Sequence, residues 1–457
     1  MKLLDAIKRI IKEKSTLILL CMLTAYTVFA CLSDLSLAFI VLMYIIVIVA
    51  PFIFDDTYTL GLYCYSACFM SCFGWGDNGY YLAFGVSSAL LMIKKVIIAL
   101  KEKQALSQTV KISVLWLSLV VIYTSYTLIV NGIEWRRTGI GLDMLQTCVL
   151  AFLIRKTVDY KKTLVCLWLG IIASFSIAYI FCMEGARHEF ITGFVEYRFG
   201  AFFNNENTMA VYCTLCSSCF IALILAGRIK EKKYIACPFV TTVIGLFVMS
   251  KAFIMLNIAL YLAWIIIGFI KAKRKLYHAI FVGIGIVVAV ILCIVYRDKV
   301  DIFLKRFYGG SMENFWDHLT TGRVSIWKAY IANWLSSPRT ILFGNGFTAP
   351  KIESGYYEHN VYIAFLNQYG ILGSALLVFS AVYTVKQNCV MERNFSAYIP
   401  FILFLFNGLS TNLSGTLCTC LPWLLAVSIF SYSPQREENL AKSVENEIKE
   451  EKIEIGQ

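Results

Sequence analysis

Three short segments of this sequence combine residue types that can hold an anion and move a proton. The first, Arg198-Phe-Gly-Ala-Phe-Phe-Asn-Asn-Glu-Asn207, joins a guanidinium to a run of amides. The second, Gly322-Arg323-Val-Ser-Ile-Trp327, sets an Arg at the start of an amphipathic stretch. The third, Glu358-His359-Asn360-Val-Tyr362, followed by Gly370-Ile-Leu-Gly373, sets a His at the mouth of an apolar run. Lys251 adds an isolated cation between two other apolar runs. Arg and Lys hold diphosphate, Arg with a two-pronged fork. A His of ordinary pKa, near ~6.5, takes a proton at neutral pH. Together these groups suit displacement of a lipid-linked diphosphate from a sugar carbon by a hydroxyl. The cations would stabilise the leaving group and the His would activate the hydroxyl. A plainer reading stands beside this one. An Arg at a membrane surface, such as Arg187 or Arg339, is more often a snorkelling anchor. His359 taken alone serves equally well as a structural hydrogen-bonding partner.

The elements that must position these groups are set by composition. Of 457 residues 59% are hydrophobic and 15% charged, where a soluble chain has about half and a quarter. The apolar residues form long unbroken runs without the alternation of barrel strands, so each run reads as a helix that satisfies its own backbone in lipid. The expected spans are 16–33, 35–54, 57–73, 79–98, 112–131, 138–154, 162–182, 208–227, 234–250, 252–270, 276–296, 360–385, 396–412 and 414–432. The start, Met1 to Lys14, is basic and amphipathic, and the run after it lacks a small-residue cleavage site, so it reads as a first span rather than a signal peptide.

The fold class expected is therefore an all-α integral membrane protein of about fourteen transmembrane helices. Residues 1–296 hold spans one to eleven, 297–359 one large extracytoplasmic loop, 360–432 the last three spans, and 433–457 an acidic cytoplasmic tail. With both termini in the cytoplasm, the clusters Lys94/Lys95/Lys101/Lys103, Arg155/Lys156/Lys161/Lys162, Arg228/Lys230/Lys232/Lys233 and Lys271/Lys273/Arg274/Lys275 all fall inside. This bias accounts for most of the +12 formal charge, so nucleic acid is not an expected partner. The large loop carries an amphipathic stretch with Val324, Trp327, Ile331, Trp334 and Leu335 on one helical face and Pro338 ending it. Such a helix either lies on the membrane surface over a site or packs on the bundle. Cys213, Cys216 and Cys219 read as small apolar packing residues rather than metal ligands.

The order Arg198…Asn207, Ser250-Lys251 after a span, Gly322-Arg323…Trp327, Gly344-Asn345-Gly346 and His359-Asn360…Gly370…Gly373 resembles the O-antigen ligase and polymerase superfamily of bacterial membrane glycosyltransferases. The resemblance covers about residues 195–375, and the His-Asn segment is its most telling part. It implies an inverting transfer from undecaprenyl diphosphate to an acceptor hydroxyl beneath the late extracytoplasmic loop, at the outer face of a bacterial plasma membrane. It places diphosphate binding on Arg198 and Arg323 and the base on His359, with Asn207 and Asn360 in support. Lys251 stands where the family usually has Arg, keeping the charge but losing the fork. The implied partners are undecaprenyl-diphosphate-linked oligosaccharide, membrane lipid, a flippase and a chain-length regulator. No cofactor and no metal are implied, and no Asp-x-Asp occurs.

Fourteen spans favour a polymerase making capsule, exopolysaccharide or O-antigen. Twelve would favour the ligase of the superfamily, which moves finished glycan to lipid A core or another acceptor. A metal-dependent membrane glycosyltransferase would need acidic residues in its first outer loop, which holds only Ser33 and Asp34, with Asp77 isolated in the second. A flippase or transporter of lipid-linked sugars would favour charges within spans and a two-fold repeat.

Overall fold

The computed structural model describes residues 14–73, 78–101, 108–131, 140–155, 157–181, 187–189, 197–203, 206–271, 322–346, 359–389 and 395–409, with scattered positions in 275–297 and 421–429. In chain order the helices are α1 (Ser15–Leu32), α2 (Leu37–Ile53), α3 (Asp56–Ser66), which runs on as a 3-10 turn (Ala67–Phe73), and α4 (Asn78–Lys101). Next come α5 (Gln108–Asn131), α6 (Ile140–Ile154) and α7 (Tyr160–Phe181). A short antiparallel hairpin follows, β1 (Arg187–Glu189) with β2 (Tyr197–Phe199). The chain continues through α8 (Glu206–Leu225), α9 (Ala236–Leu246), α10 (Lys251–Lys271), α11 (Arg323–Trp334), α12 (Pro338–Phe343), α13 (Val361–Cys389) and α14 (Ile399–Gly408).

Five of these, α1, α7, α8, α10 and α13, are long and apolar enough to cross a membrane. The expected spans 276–296 and 414–432 lie largely outside the described residues, as do most of the 297–359 loop and the 433–457 tail.

Helix α8 is the centre of the bundle and α10 its rim: 83% of the apolar window of α8 is buried against 17% for α10. Small side chains such as Ala210, Cys213, Ser217 and Ala222 let neighbours close on α8 from all sides. Polar groups inside the bundle bond across helices. Asn257 Nδ2 donates to Thr214 Oγ1 (3.3 Å), and Ser217 Oγ donates to the Pro238 carbonyl (3.2 Å). Helices α3 and α7 meet along a seam of small residues, where a Cβ on Gly61 would stand 3.0 Å from Cys166 Sγ and one on Gly170 3.0 Å from Cys68 Sγ. Cys213, Cys216 and Cys219 are buried free thiols within α8.

Polar contacts sort the loops into two ends. At one end Asp56 pairs with Lys95 and accepts from Thr157 Oγ1, while the Asp159 amide donates to Thr57 Oγ1 (2.9 Å). Lys161 meets Glu231 at 2.5 Å, and Lys271 Nζ donates to the Leu225 carbonyl (3.0 Å). At the other end the Ser71 amide donates to the Phe202 carbonyl (3.1 Å), the Phe202 amide to Ser174 Oγ (3.3 Å), and the Phe199 amide to the Phe247 carbonyl (3.2 Å). The basic loops thus gather at the first end.

One element differs from the sequence expectation: the segment 360–385, expected as one span, is broken at Gly370, where φ is 61° and ψ −168°. The amphipathic helix stops at Trp334, ahead of Pro338 as expected, and Pro338 also begins α12 at a position where its missing N–H costs nothing. Ser337 and Thr340 close a capping box around it.

The break at Gly370 is locked by a second glycine. Gly344 has φ 75° and ψ −166°, and both conformations are essentially confined to glycine. A Cβ on Gly344 would overlap the Gln368 carbonyl, and one on Gly370 would overlap the Leu342 carbonyl. Gly344→Ala or Gly370→Ala is therefore expected to lose roughly 2–4 kcal/mol, combining backbone strain with overpacking. Gly85→Ala, which meets nothing within 4 Å, is the matched control and keeps wild-type stability. Thermal unfolding of detergent-solubilised variants followed by size-exclusion measures both.

Candidate functional site

Arg323 and His359 come together although 35 residues of chain separate them. Gly322, at φ 78°, turns the chain into α11, and Arg323 is the first residue of that helix. Helical periodicity puts Arg323 on the side of Tyr330, seven residues on, which is 1% exposed and anchors α11. His359 lies just before α13, half-buried, with φ 46°. That left-handed conformation is uncommon outside glycine, though His is enriched in it.

Asn360 holds this turn in place. Its Oδ1 accepts from the Tyr362 amide (3.0 Å) and the Ile363 amide (3.2 Å), capping α13, and its Nδ2 donates to the Leu409 carbonyl (3.4 Å) after α14. Burial, and then the positive charge of Arg323, push the His359 imidazole down to about 4. At neutral pH the ring is uncharged and keeps one nitrogen lone pair for a hydroxyl proton. An anion bound beside Arg323 would offset that cation and make the ring more basic.

The remaining candidates lie at the same end. Ile399 and Leu403 of α14 pack with Ile221 and Leu260, so α14 runs antiparallel to α8 and Leu409 returns toward the first turn of α8. That turn carries buried Glu206 and half-buried Asn207. Glu206 packs on Gly200, two residues beyond Arg198. Arg198 pairs with His188 in the hairpin register, and the adjacent Phe199–Phe247 hydrogen bond places it by backbone at the loop leading to Lys251. Lys251 is the first residue of α10, half-buried, where its charge adds to the positive end of the helix dipole. Glu196, His318 and Glu358 lie outside the described residues.

Tyr126, Asn333, Asn367 and Gln368 belong to no segment singled out in the sequence, yet they brace the Gly344-Asn345-Gly346 segment and its neighbours. Tyr126 Oη donates to the Gly344 carbonyl (2.8 Å), reaching from α5 to the site-bearing hairpin. The Asn345 amide donates to the Asn367 carbonyl (2.7 Å), the Gly346 amide to the Gln368 carbonyl (3.0 Å), and Asn333 Nδ2 to Asn367 Oδ1 (3.3 Å). Amides inside an apolar run, as at Asn367-Gln368, were the one available signal.

The exposure of α11 bears on the two settings expected for it: Tyr330 is the buried anchor, while Ile331 and Leu335, read as part of one apolar face, are exposed.

The pairing of Arg323 with His359 is open to direct measurement. Histidine-labelled protein has only four His to assign by NMR, and His359 should have a pKa below 5. Arg323→Gln removes a repulsion that favours the neutral ring, so it should raise that value. An ordinary value near ~6.5 in the wild type would mean that the ring is neither buried nor beside the guanidinium.

No protein-family model matches this chain, and no curated protein or solved structure matches it either.

Proposed function

We propose that the chain is a metal-independent, inverting membrane glycosyltransferase that polymerises undecaprenyl-diphosphate-linked oligosaccharide units into capsule, exopolysaccharide or O-antigen. The observation that carries this reading is the half-buried His359 beside Arg323, on a left-handed turn held by Asn360. In the proposed step the acceptor oxygen attacks the anomeric carbon as His359 takes its proton. The bond from that carbon to the diphosphate breaks, and the electron pair leaves on the diphosphate. Arg323, Arg198 and Lys251 stabilise the charge that develops there. The diphosphate also offsets the Arg323 charge, raising the basicity of His359 when substrate is bound. About fourteen helices cross the bilayer, with the basic end and both termini in the cytoplasm.

Purified protein with lipid-linked substrate is expected to elongate chains in the presence of EDTA. His359→Ala should lose ~10²–10⁴-fold, the usual worth of general-base help. Arg323→Ala should lose about 1.5–3 kcal/mol of transition-state stabilisation, the worth of a hydrogen bond to a charged group. Normal turnover by His359→Ala would remove the base from the scheme. A deletion strain should accumulate single repeat units on carrier or acceptor. Long carrier-linked polymer would instead favour the ligase, and absence of any glycan transfer by the purified protein would favour a transporter.

Orientation has its own test. A reporter active only outside the cytoplasm should work when fused near residue 340 and stay silent near residue 273 or at the C-terminus. The opposite pattern would place the Arg323–His359 pair on the cytoplasmic side.

A further inference from the structure

Helix α11 presents two unlike faces. One, carrying Tyr330 and Arg323, is turned to the protein. The other carries Ile331 and Leu335, which lie about 100–140° further round the helix. Trp334 Nε1 donates to the Ile341 carbonyl (3.3 Å) and Thr340 Oγ1 to the Trp334 carbonyl (2.8 Å), so α12 continues from α11 as a fixed hairpin. On α12, Leu342 and Phe343 are uncovered too. Together Ile331, Leu335, Leu342 and Phe343 are 39–53% exposed.

This apolar face does not end at the hairpin. The backbone of Leu342 and Phe343 lies directly against Gly370. Beyond Gly370, residues 371–389 form a helix of membrane-crossing length, about 28 Å at 1.5 Å per residue. Its first residues, Ile371 and Leu372, are exposed, as are Val378, Phe379 and Val382 further along. One exposed apolar surface therefore runs from a candidate membrane span onto the hairpin. The charged residues fit the same picture. Lys328 and Arg339 are exposed, flank the apolar patch, and have stems long enough to reach lipid headgroups. Ser325 on α11 and Ser336 in the turn after it are exposed and polar.

We propose that the α11–α12 hairpin is seated in the headgroup–acyl boundary of the bilayer through Ile331, Leu335, Leu342 and Phe343. The occupant of this face is lipid, because the face continues a surface that lipid already covers. The seat puts Arg323 within about one helix diameter, ~10 Å, of the lipid surface. An anion carried on a lipid then reaches the Arg323–His359 pair sideways from the bilayer. The membrane contact itself does not depend on the transferase reading, and its test involves no turnover.

The test is photo-crosslinking in lipid. p-Benzoylphenylalanine is incorporated at Leu335, at Phe343 and at Ser325, all exposed positions. Each variant is reconstituted into vesicles of phosphatidylglycerol and phosphatidylcholine after eluting as wild type on size-exclusion; Leu342 replaces Phe343 if that variant does not. On irradiation, intact-mass analysis should show lipid adducts at residues 335 and 343 at several-fold the yield at residue 325. Equal, low yields at all three positions would put the face in water and overturn the proposal. Adducts at 335 and 343 joining two copies of the chain, in place of lipid, would overturn it as well.

Discussion

The close contact between Gly344 and Gly370 is the constraint on which the site end depends. Each glycine holds a backbone conformation that other residues rarely adopt, and each lies where a Cβ of its own would collide with the backbone of the other segment. Because neither carries a Cβ, the segment after α12 can lie directly on the broken α13 and donate backbone hydrogen bonds to the carbonyls of residues 367 and 368. That contact orients the α11–α12 hairpin, hence Arg323, relative to the start of α13, hence His359. A backbone-to-backbone joint varies little with rotamer state, which suits a pair of groups whose electrostatic coupling depends on separation.

Beneath the site the bundle follows the demands of an apolar solvent. Buried polar groups bond across helices through short side chains, as Asn257 does to Thr214 and Ser217 does to the Pro238 carbonyl. Formal charges and their partners collect at the ends, with Asp56, Lys95, Lys161 and Glu231 together at one of them. The opposite end is left with aromatic contacts among Phe175, Tyr179, Phe199 and Phe247, which brace the hairpin that carries Arg198.

Much of the helical framework was legible in the sequence because lipid forces each crossing segment to be long, apolar and self-bonded. Element edges were readable too: Lys251 and Arg323, expected beside apolar or amphipathic runs, are the first residues of α10 and α11, and His359 stands just before α13. What periodicity missed has a common cause. It reports where apolar side chains lie on a helix but not whether protein or lipid covers them, so the stripe through Ile331 and Leu335 left membrane surface and bundle packing both open, while Tyr330 is the residue that packs. The hairpin strands are three residues each, too short for any period to register. The Gly344–Gly370 contact and the reach of Tyr126 are tertiary facts between remote segments, and no local pattern encodes them.

The clasp at the basic end bears on the order in which the molecule is assembled. Lys94 Nζ bonds the Pro51 and Phe54 carbonyls while Lys95 pairs with Asp56, so the end of α4 closes on the α2–α3 turn across some forty residues of chain. Thr157 and Asp159, from the α6–α7 turn, then seal the same point. All of these residues are synthesised before Arg198. The early helices can therefore fasten to one another at the translocon while the residues of the site are still inside the ribosome. The later segments, whose own joints span from Tyr126 to Gly344 and from Asn360 to Leu409, dock onto a scaffold already closed at its far end.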